Sequence, residues 1–141
     1  MIIDPATRYA EVKLRVPFHD LDPAGIVWHG HYAKYFELAR CELLRSFAYN
    51  YDDMVASGYS WPVIDLRARY VKSALFEQEL SVRASLREWE YRLRIDYLIS
   101  DAATGVRLCK GRSDQVAVDL KTGEMCLRSP DVLFARLGVT P

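Results

Sequence analysis

No run of basic residues, no CxxC pair and no long apolar segment occurs in this sequence. Each absence excludes something. The 19 lysines and arginines balance 19 aspartates and glutamates, so without a basic run nothing marks a nucleic-acid or anionic-membrane footprint. A formal net charge of zero also leaves little repulsion between copies, which is compatible with self-association. The three cysteines, Cys41, Cys109 and Cys126, are odd in number and far apart. That pattern reads as reduced thiols of a cytoplasmic protein rather than a disulfide framework. The N-terminal stretch MIIDPATRYAEVKLRV carries charges throughout and does not resemble a signal peptide. Nothing approaches the length of a membrane span. There is no G-x-S-x-G elbow, P-loop or dinucleotide fingerprint, and no internal repeat, low-complexity tract or linker.

What is present is an apolar fraction of 50% in 141 residues. That is enough to bury a core without metal or disulfide staples, and the length predicts one domain over residues 1–141. The apolar residues are placed with a clear period. In AEVKLRVPF, the set Ala10, Val12, Leu14, Val16 and Phe18 alternates with Glu11, Lys13 and Arg15, the pattern of a strand with one buried face. The same period returns at Ile64, Leu66, Ala68 and Tyr70, at Leu80, Val82, Ala84 and Leu86, and at Tyr91, Leu93, Ile95 and Tyr97. A fifth strand is expected over Val106 to Leu120, with a bulge or bend near Gly111 and a turn at DLKTGE. Connections as short as Glu88-Trp89-Glu90 favour antiparallel neighbours.

One long helix competes with these strands. From about His31 to Tyr49, residues Tyr32, Tyr35, Phe36, Ala39, Leu43 and Phe47 fall at helical spacings, and Leu38 and Leu44 widen the stripe. A short helix is expected around Asp52 to Ser57. A last one follows Ser129 as N-cap and Pro130 at the first helical position, and stops before Gly138. The order is strand, long helix, then four strands. It predicts an α+β domain in which an antiparallel sheet of about five strands wraps a long central helix.

The chemistry-bearing residues crowd one place. HDLDPAGIVWHGHYAKYFELAR, from His19 to Arg40, sets two aspartates and three histidines around the start of the long helix. A helix N-terminus offers unpaired N–H groups and the positive end of a dipole. A turn at Asp22-Pro23-Ala24-Gly25 can bring a carboxylate back towards it. Asp22 can also be a turn former alone. His29-x-His31 with His19, Asp20 and Asp22 supplies imidazole and carboxylate groups, but the turn separates them awkwardly for a metal. Asp20 reads as a structural hydrogen-bonder or surface charge, and His19 and His31 as polar rim residues. Glu37, mid-helix, is expected to pair with Arg40 or Arg45. Cys41, inside a helix and without a partner base, suits packing rather than nucleophilic attack.

This stretch resembles the signature of the hotdog-fold acyl-CoA thioesterases, the 4-hydroxybenzoyl-CoA thioesterase group and its Tol-Pal-associated relatives. The resemblance rests on Asp20, Asp22, Gly25, Val27, His29, Tyr32 and Phe36, continuing through Glu37, Ala39 and Arg40, and the order of elements extends it over most of the chain. It implies a hotdog fold and hydrolysis of acyl-CoA or acyl-carrier-protein thioesters. Asp22 would be nucleophile or general base, and the backbone N–H near His29 would polarise the carbonyl, with or without its imidazole. The alternatives are a hotdog-fold acyl dehydratase or hydratase, which would use the same helix mouth for acid–base chemistry at an acyl chain, and a non-catalytic module that binds an acyl thioester and releases nothing.

Trp28, Tyr32, Trp61 and Pro62 are candidates for the acyl-pocket wall, or else core or interface residues. In the resembling enzymes a basic cluster near the turn after the third strand holds the CoA phosphates. REWEYRLR stands there in this chain, leaving Arg87 and Arg92 as candidates, with Arg128 near the last helix. As solvated surface charges these arginines need no further explanation. The resemblance implies no cofactor and no metal. It further implies a homodimer or homotetramer, with the active site at a subunit interface.

Overall fold

The structure, a computed structural model, describes residues 8–141. Its strands are β1 (Tyr9–Arg15), β2 (Tyr59–Ser60), β3 (Val63–Tyr70), β4 (Glu79–Glu88), β5 (Leu93–Asp101), β6 (Arg107–Gln115) and β7 (Val118–Asp119). Five of them form one antiparallel sheet in the order β1-β4-β5-β6-β3, and β2 pairs with β7 in a separate short ribbon. The helices are α1 (His31–Ser46), α2 (Tyr51–Ala56) and α3 (Asp131–Leu137). The long helix α1 packs against the apolar face of the sheet, touching β1 and β4, so the expected α+β arrangement is present.

The central strands carry the expected alternation. Leu80, Val82, Ala84 and Leu86 of β4 and Leu93, Ile95, Tyr97 and Ile99 of β5 are buried, and the residues between them face outward. Fully burying such a side chain stabilises by roughly 1.5–3 kcal/mol, which fixes register because a one-residue slip would expose the whole set. The margins depart from expectation. Pro17 closes β1, and Phe18, expected on the buried face, is 73% exposed in a 3-10 turn at Phe18–Asp20. Tyr91 lies outside β5 in the β4–β5 turn and is exposed. In β3 the predicted inner residues Leu66 and Tyr70 are about half exposed, because β3 forms the sheet edge and α1 does not reach it fully, and a bulge between Val63 and Asp65 takes the exposed Ile64 out of the predicted alternation.

In α1, Tyr32, Tyr35, Phe36, Ala39, Leu43 and Leu44 are buried, whereas Leu38 points outward and does not widen the stripe. The helix stops before Tyr49 because Ala48 takes a left-handed conformation, φ 56°. Asn50 starts α2 with a capping box to Asp53. Ser129 does not cap α3. Pro130 is the N-cap residue, and the buried Ser129 hydroxyl has no partner among the described residues.

Gly111 causes no break. It is paired in register with Ala68 and Tyr97, and the Phe36 ring fills the space where its Cβ would stand. That ring stacks on Tyr97 at 4.6 Å. The glycine lets α1 approach the sheet. The break in the β6 segment comes after Gln115, before β7. Gly111→Ala should therefore overpack a fully buried aromatic and destabilise the fold by about 1–3 kcal/mol, read as a lower urea midpoint at unchanged m-value.

Candidate active site at the mouth of the long helix

Between the 3-10 turn and α1 the chain makes a tight hairpin. Asp22 N–H donates to the Ile26 carbonyl at 2.8 Å, Gly25 N–H to the Asp22 carbonyl at 2.9 Å, and Leu21 bridges Val27. Gly25 takes φ +80°, a conformation that favours glycine at the end of this Asp-Pro-Ala-Gly turn. The Asp22 Oδ1 accepts from the Ala24 N–H at 2.8 Å and from Ile26 N–H at 3.4 Å. Asp22 is thus a turn former, and its half-buried side chain retains a second carboxylate oxygen with no partner among the described residues.

Asp20 anchors the hairpin. Its side chain is 1% exposed and accepts from Lys34 Nζ at 2.7 Å and Tyr35 Oη at 2.6 Å, both from the first turns of α1. Its carbonyl accepts from the Trp28 N–H at 3.0 Å. Burial alone would raise the Asp20 carboxyl, but the Lys34 and Tyr35 hydrogen bonds outweigh it and hold the group below the ordinary aspartate range. Burial and the adjoining Asp20 carboxylate push the Tyr35 hydroxyl up. The Nε2 atoms of His19 and His31 each lie 3.8 Å from Asp20 Oδ1. Among the described residues no group of three histidine, cysteine, aspartate or glutamate side chains is arranged to hold a metal.

The chain then enters α1 without a side-chain cap. His31 N–H donates to the Trp28 carbonyl at 2.9 Å, while the N–H groups of His29 and Gly30 have no acceptor among the described residues. Those free donors sit at the positive end of the helix. The Trp28 ring folds back over Gly30, where a Cβ would collide with it, and contacts the rings of His29 at 5.1 Å and His31 at 5.3 Å. Tyr70, at the end of the edge strand, donates its hydroxyl to the His29 carbonyl at 3.0 Å. The site thus has a carboxylate, unpaired amides and an aromatic wall.

Tyr70 was invisible as a site residue, since its period marked it only as a strand residue. The other expected residues divide into two groups. Trp28 and His29 stand together at the mouth, and Asp22 sits at the tip of the hairpin that leads into it. Tyr32 lies beneath it, 3% exposed, its hydroxyl accepting from the Ala74 N–H at 3.0 Å. Trp61 lies elsewhere, packed on Tyr49 beyond the C-terminal end of α1, with its indole N–H 3.2 Å from the Tyr49 hydroxyl. Sixteen residues of α1 put that end about 24 Å from the mouth. Arg87, Arg92 and Arg128 lie at or beyond the same end of the sheet and meet carboxylates. Arg87 donates to Asp96 at 3.0 Å, Arg92 lies 3.5 Å from Glu88, and Arg128 3.5 Å from Glu90. Within one chain, then, four of the expected substrate contacts are remote from Asp22.

Glu37 pairs with neither expected partner. Arg45 pairs with Glu42, and Arg40 is buried against the hydroxyls of Tyr51 at 2.8 Å and Tyr97 at 3.3 Å. Burial pushes the Cys41 and Cys109 thiols up, Cys109 to about 12, so neither supplies a thiolate near neutral pH.

The family model for the thioesterase-like superfamily matches residues 16–135. The chain belongs to that superfamily. It is 32% identical over 131 residues to the candidate esterase sll0410 of Synechocystis, a match covering 92% of this chain and 79% of that one. It is 26% identical over 73 residues to the acyl-CoA thioester hydrolase YbgC of Escherichia coli, covering 52% of this chain and 54% of YbgC. The solved structure of Slr0204, a 1,4-dihydroxy-2-naphthoyl-CoA thioesterase from Synechocystis, superposes with a TM-score of 0.81 at 18% identity, over 92% of this chain and 96% of that one. That likeness establishes the hotdog fold for the sheet and helix described above.

The anchoring of the hairpin has a pH signature. A folded-state carboxyl held low contributes stability above the ordinary aspartate value and loses it as pH falls through the folded value. Asp20→Asn should cost about 1.5–3 kcal/mol at pH 7, and the gap to wild type should close between about pH 5 and pH 2, measured by urea denaturation at each pH.

Proposed function

We propose that this thioesterase-superfamily chain, as a single hotdog domain, hydrolyses acyl-CoA thioesters to a free acid and the thiol. The observation that supports this reading is an uncapped helix start, whose His29 and Gly30 amides have no acceptor among the described residues, joined directly to the hydrogen-bonded hairpin that carries the Asp22 carboxylate at its tip. The thioester carbonyl oxygen accepts from the His29 amide, where negative charge builds as the carbonyl carbon becomes tetrahedral. Asp22 acts at that carbon in one of two ways. As nucleophile it forms a mixed anhydride and expels the thiolate, and water then hydrolyses the anhydride. As general base it takes a proton from the water that attacks, and the tetrahedral intermediate expels the thiolate. Trp28 and Tyr70 form the wall beside the acyl group. No cofactor or metal enters either route.

The substitution Asp22→Asn separates the two uses of this residue, because an asparagine Oδ1 still accepts from the Ala24 amide and preserves the turn. Thiol release from a panel of aliphatic and aromatic acyl-CoAs should fall at least a hundredfold in a folded Asp22→Asn variant. Unchanged turnover would remove Asp22 from the chemistry. Water addition or loss without thiol release would make the protein a hydratase or dehydratase, and binding without either would make it an acyl-thioester module.

The working unit in this reading is a homo-oligomer. The edge strand β3 exposes Val63, Ile64, Leu66 and Tyr70 together with backbone groups that no other described strand pairs, a surface that is a liability unless another strand covers it. Antiparallel pairing of β3 with its copy sets the start of one strand beside the end of the other. It thereby turns the partner's Trp61 end towards the Asp22 mouth. Light scattering should give a dimer or tetramer, and Leu66→Lys, with a charge at the middle of that edge, should give a folded monomer with strongly reduced turnover.

A further inference from the structure

The sheet face turned away from α1 concentrates positive charge at the end nearest the mouth. On β5 the outward residues are Arg94, Asp96, Leu98 and Ser100. Register carries that face to Lys110 opposite Leu98, and to Arg69 opposite Lys110, with Arg107 paired to Ser100. Arg69, Arg107 and Lys110 form no ion pair among the described residues, and Arg69 and Lys110 are like charges directly opposite one another, an arrangement that costs stability unless an anion sits between them. With Tyr70 and Val71 they line an open cleft of about 510 Å³. Tyr70 belongs to both places, since its hydroxyl holds the His29 carbonyl at the helix mouth.

We propose that Arg69, Arg107 and Lys110 hold the phosphates of the coenzyme A half of the substrate, while its thioester lies at the helix mouth. This rests on the thioesterase reading of the Asp22 site. Guanidinium forks and an ammonium suit phosphate oxygens. Three free cations match the diphosphate and 3′-phosphate of coenzyme A better than the single phosphodiester of a carrier-protein arm. By contrast, Arg87, Arg92 and Arg128 already face Asp96, Glu88 and Glu90, so an anion would have to displace a carboxylate to reach them.

The test is calorimetric titration of the whole protein with coenzyme A and, separately, with 4′-phosphopantetheine. Fold and assembly are checked by circular dichroism and light scattering. Arg69→Gln and Lys110→Gln should each weaken coenzyme A binding roughly tenfold, and Arg69→Lys, which keeps the charge, much less. Lys121→Gln, a remote exposed cation, should bind as wild type. The 4′-phosphopantetheine affinity should change less than that of coenzyme A. Equal sensitivity of the two ligands would assign the cleft to a carrier-protein arm and overturn the proposal. So would coenzyme A binding that ignores Arg69→Gln and Lys110→Gln together, or that falls instead in Arg92→Gln. A wild type that does not bind coenzyme A overturns it as well. Coenzyme A held by these cations without thiol release from any acyl-CoA would leave the phosphate site standing and sink the hydrolase reading, so the two failures are distinct.

Discussion

Everything at the helix mouth hangs on one buried carboxylate. Asp20 sits between the end of the 3-10 turn and the first turns of α1, and it takes two charge-assisted hydrogen bonds from the helix while its backbone takes a third from the far end of the hairpin. Burying an ion is expensive unless it is paired and fully hydrogen-bonded, and Lys34 with Tyr35 meets that condition. The return is geometric. The loop from Asp20 to Trp28 becomes a closed unit whose tip carries Asp22, and it leads into a helix start that no side chain caps. A capping serine or aspartate would occupy the very amides that the proposed chemistry uses. Gly30 avoids that conflict and leaves room for the Trp28 ring.

Most of the fold was legible because its core strands obey a single period. Leu80 to Leu86 and Leu93 to Ile99 read as half-buried strands and are so. The misreadings share a cause: periodicity reports which face a residue is on, not whether another element covers that face. Leu66 and Tyr70 keep the correct alternation, but strand order sets β3 at the edge, and strand order depends on pairing that no local pattern encodes. Gly111 shows the same limit from the other side. A glycine in a strand signals a bend or a close approach, and only the packing of Phe36 decides that it is the second.

The candidate site was partly legible for a related reason. Asp22, Trp28 and His29 are neighbours in sequence, on a turn and a helix start whose signals are local. Trp61, Arg87, Arg92 and Arg128 were proposed partners at a distance, and β4 spans nine steps, roughly 30 Å, between the loop that supports the hairpin and the turn that carries Arg92. A single sheet cannot bring its two ends together. An antiparallel pairing of two such sheets through β3 can, because a twofold axis at the middle of an edge strand exchanges its ends. The exposed apolar edge is the observation behind the proposed assembly, and such a pairing would also bring the divided candidate residues together.

Charge makes the converse argument. By composition alone, a neutral chain with no basic run offers anions nothing, because composition counts charges without their positions. Strand pairing sorts them. Arg69, Lys110 and Arg107 are separated by up to 41 positions in sequence, yet antiparallel register sets the first two directly opposite and the third close by at the same end of the sheet. The acids that balance them are spent elsewhere: Asp20 on Lys34, Asp114 on Arg94, and Asp96 between Arg87 and Arg112. Zero net charge and a locally unbalanced cation cluster are therefore compatible. The same arithmetic that keeps copies of the chain from repelling one another leaves Arg69, Arg107 and Lys110 without an ion pair among the described residues.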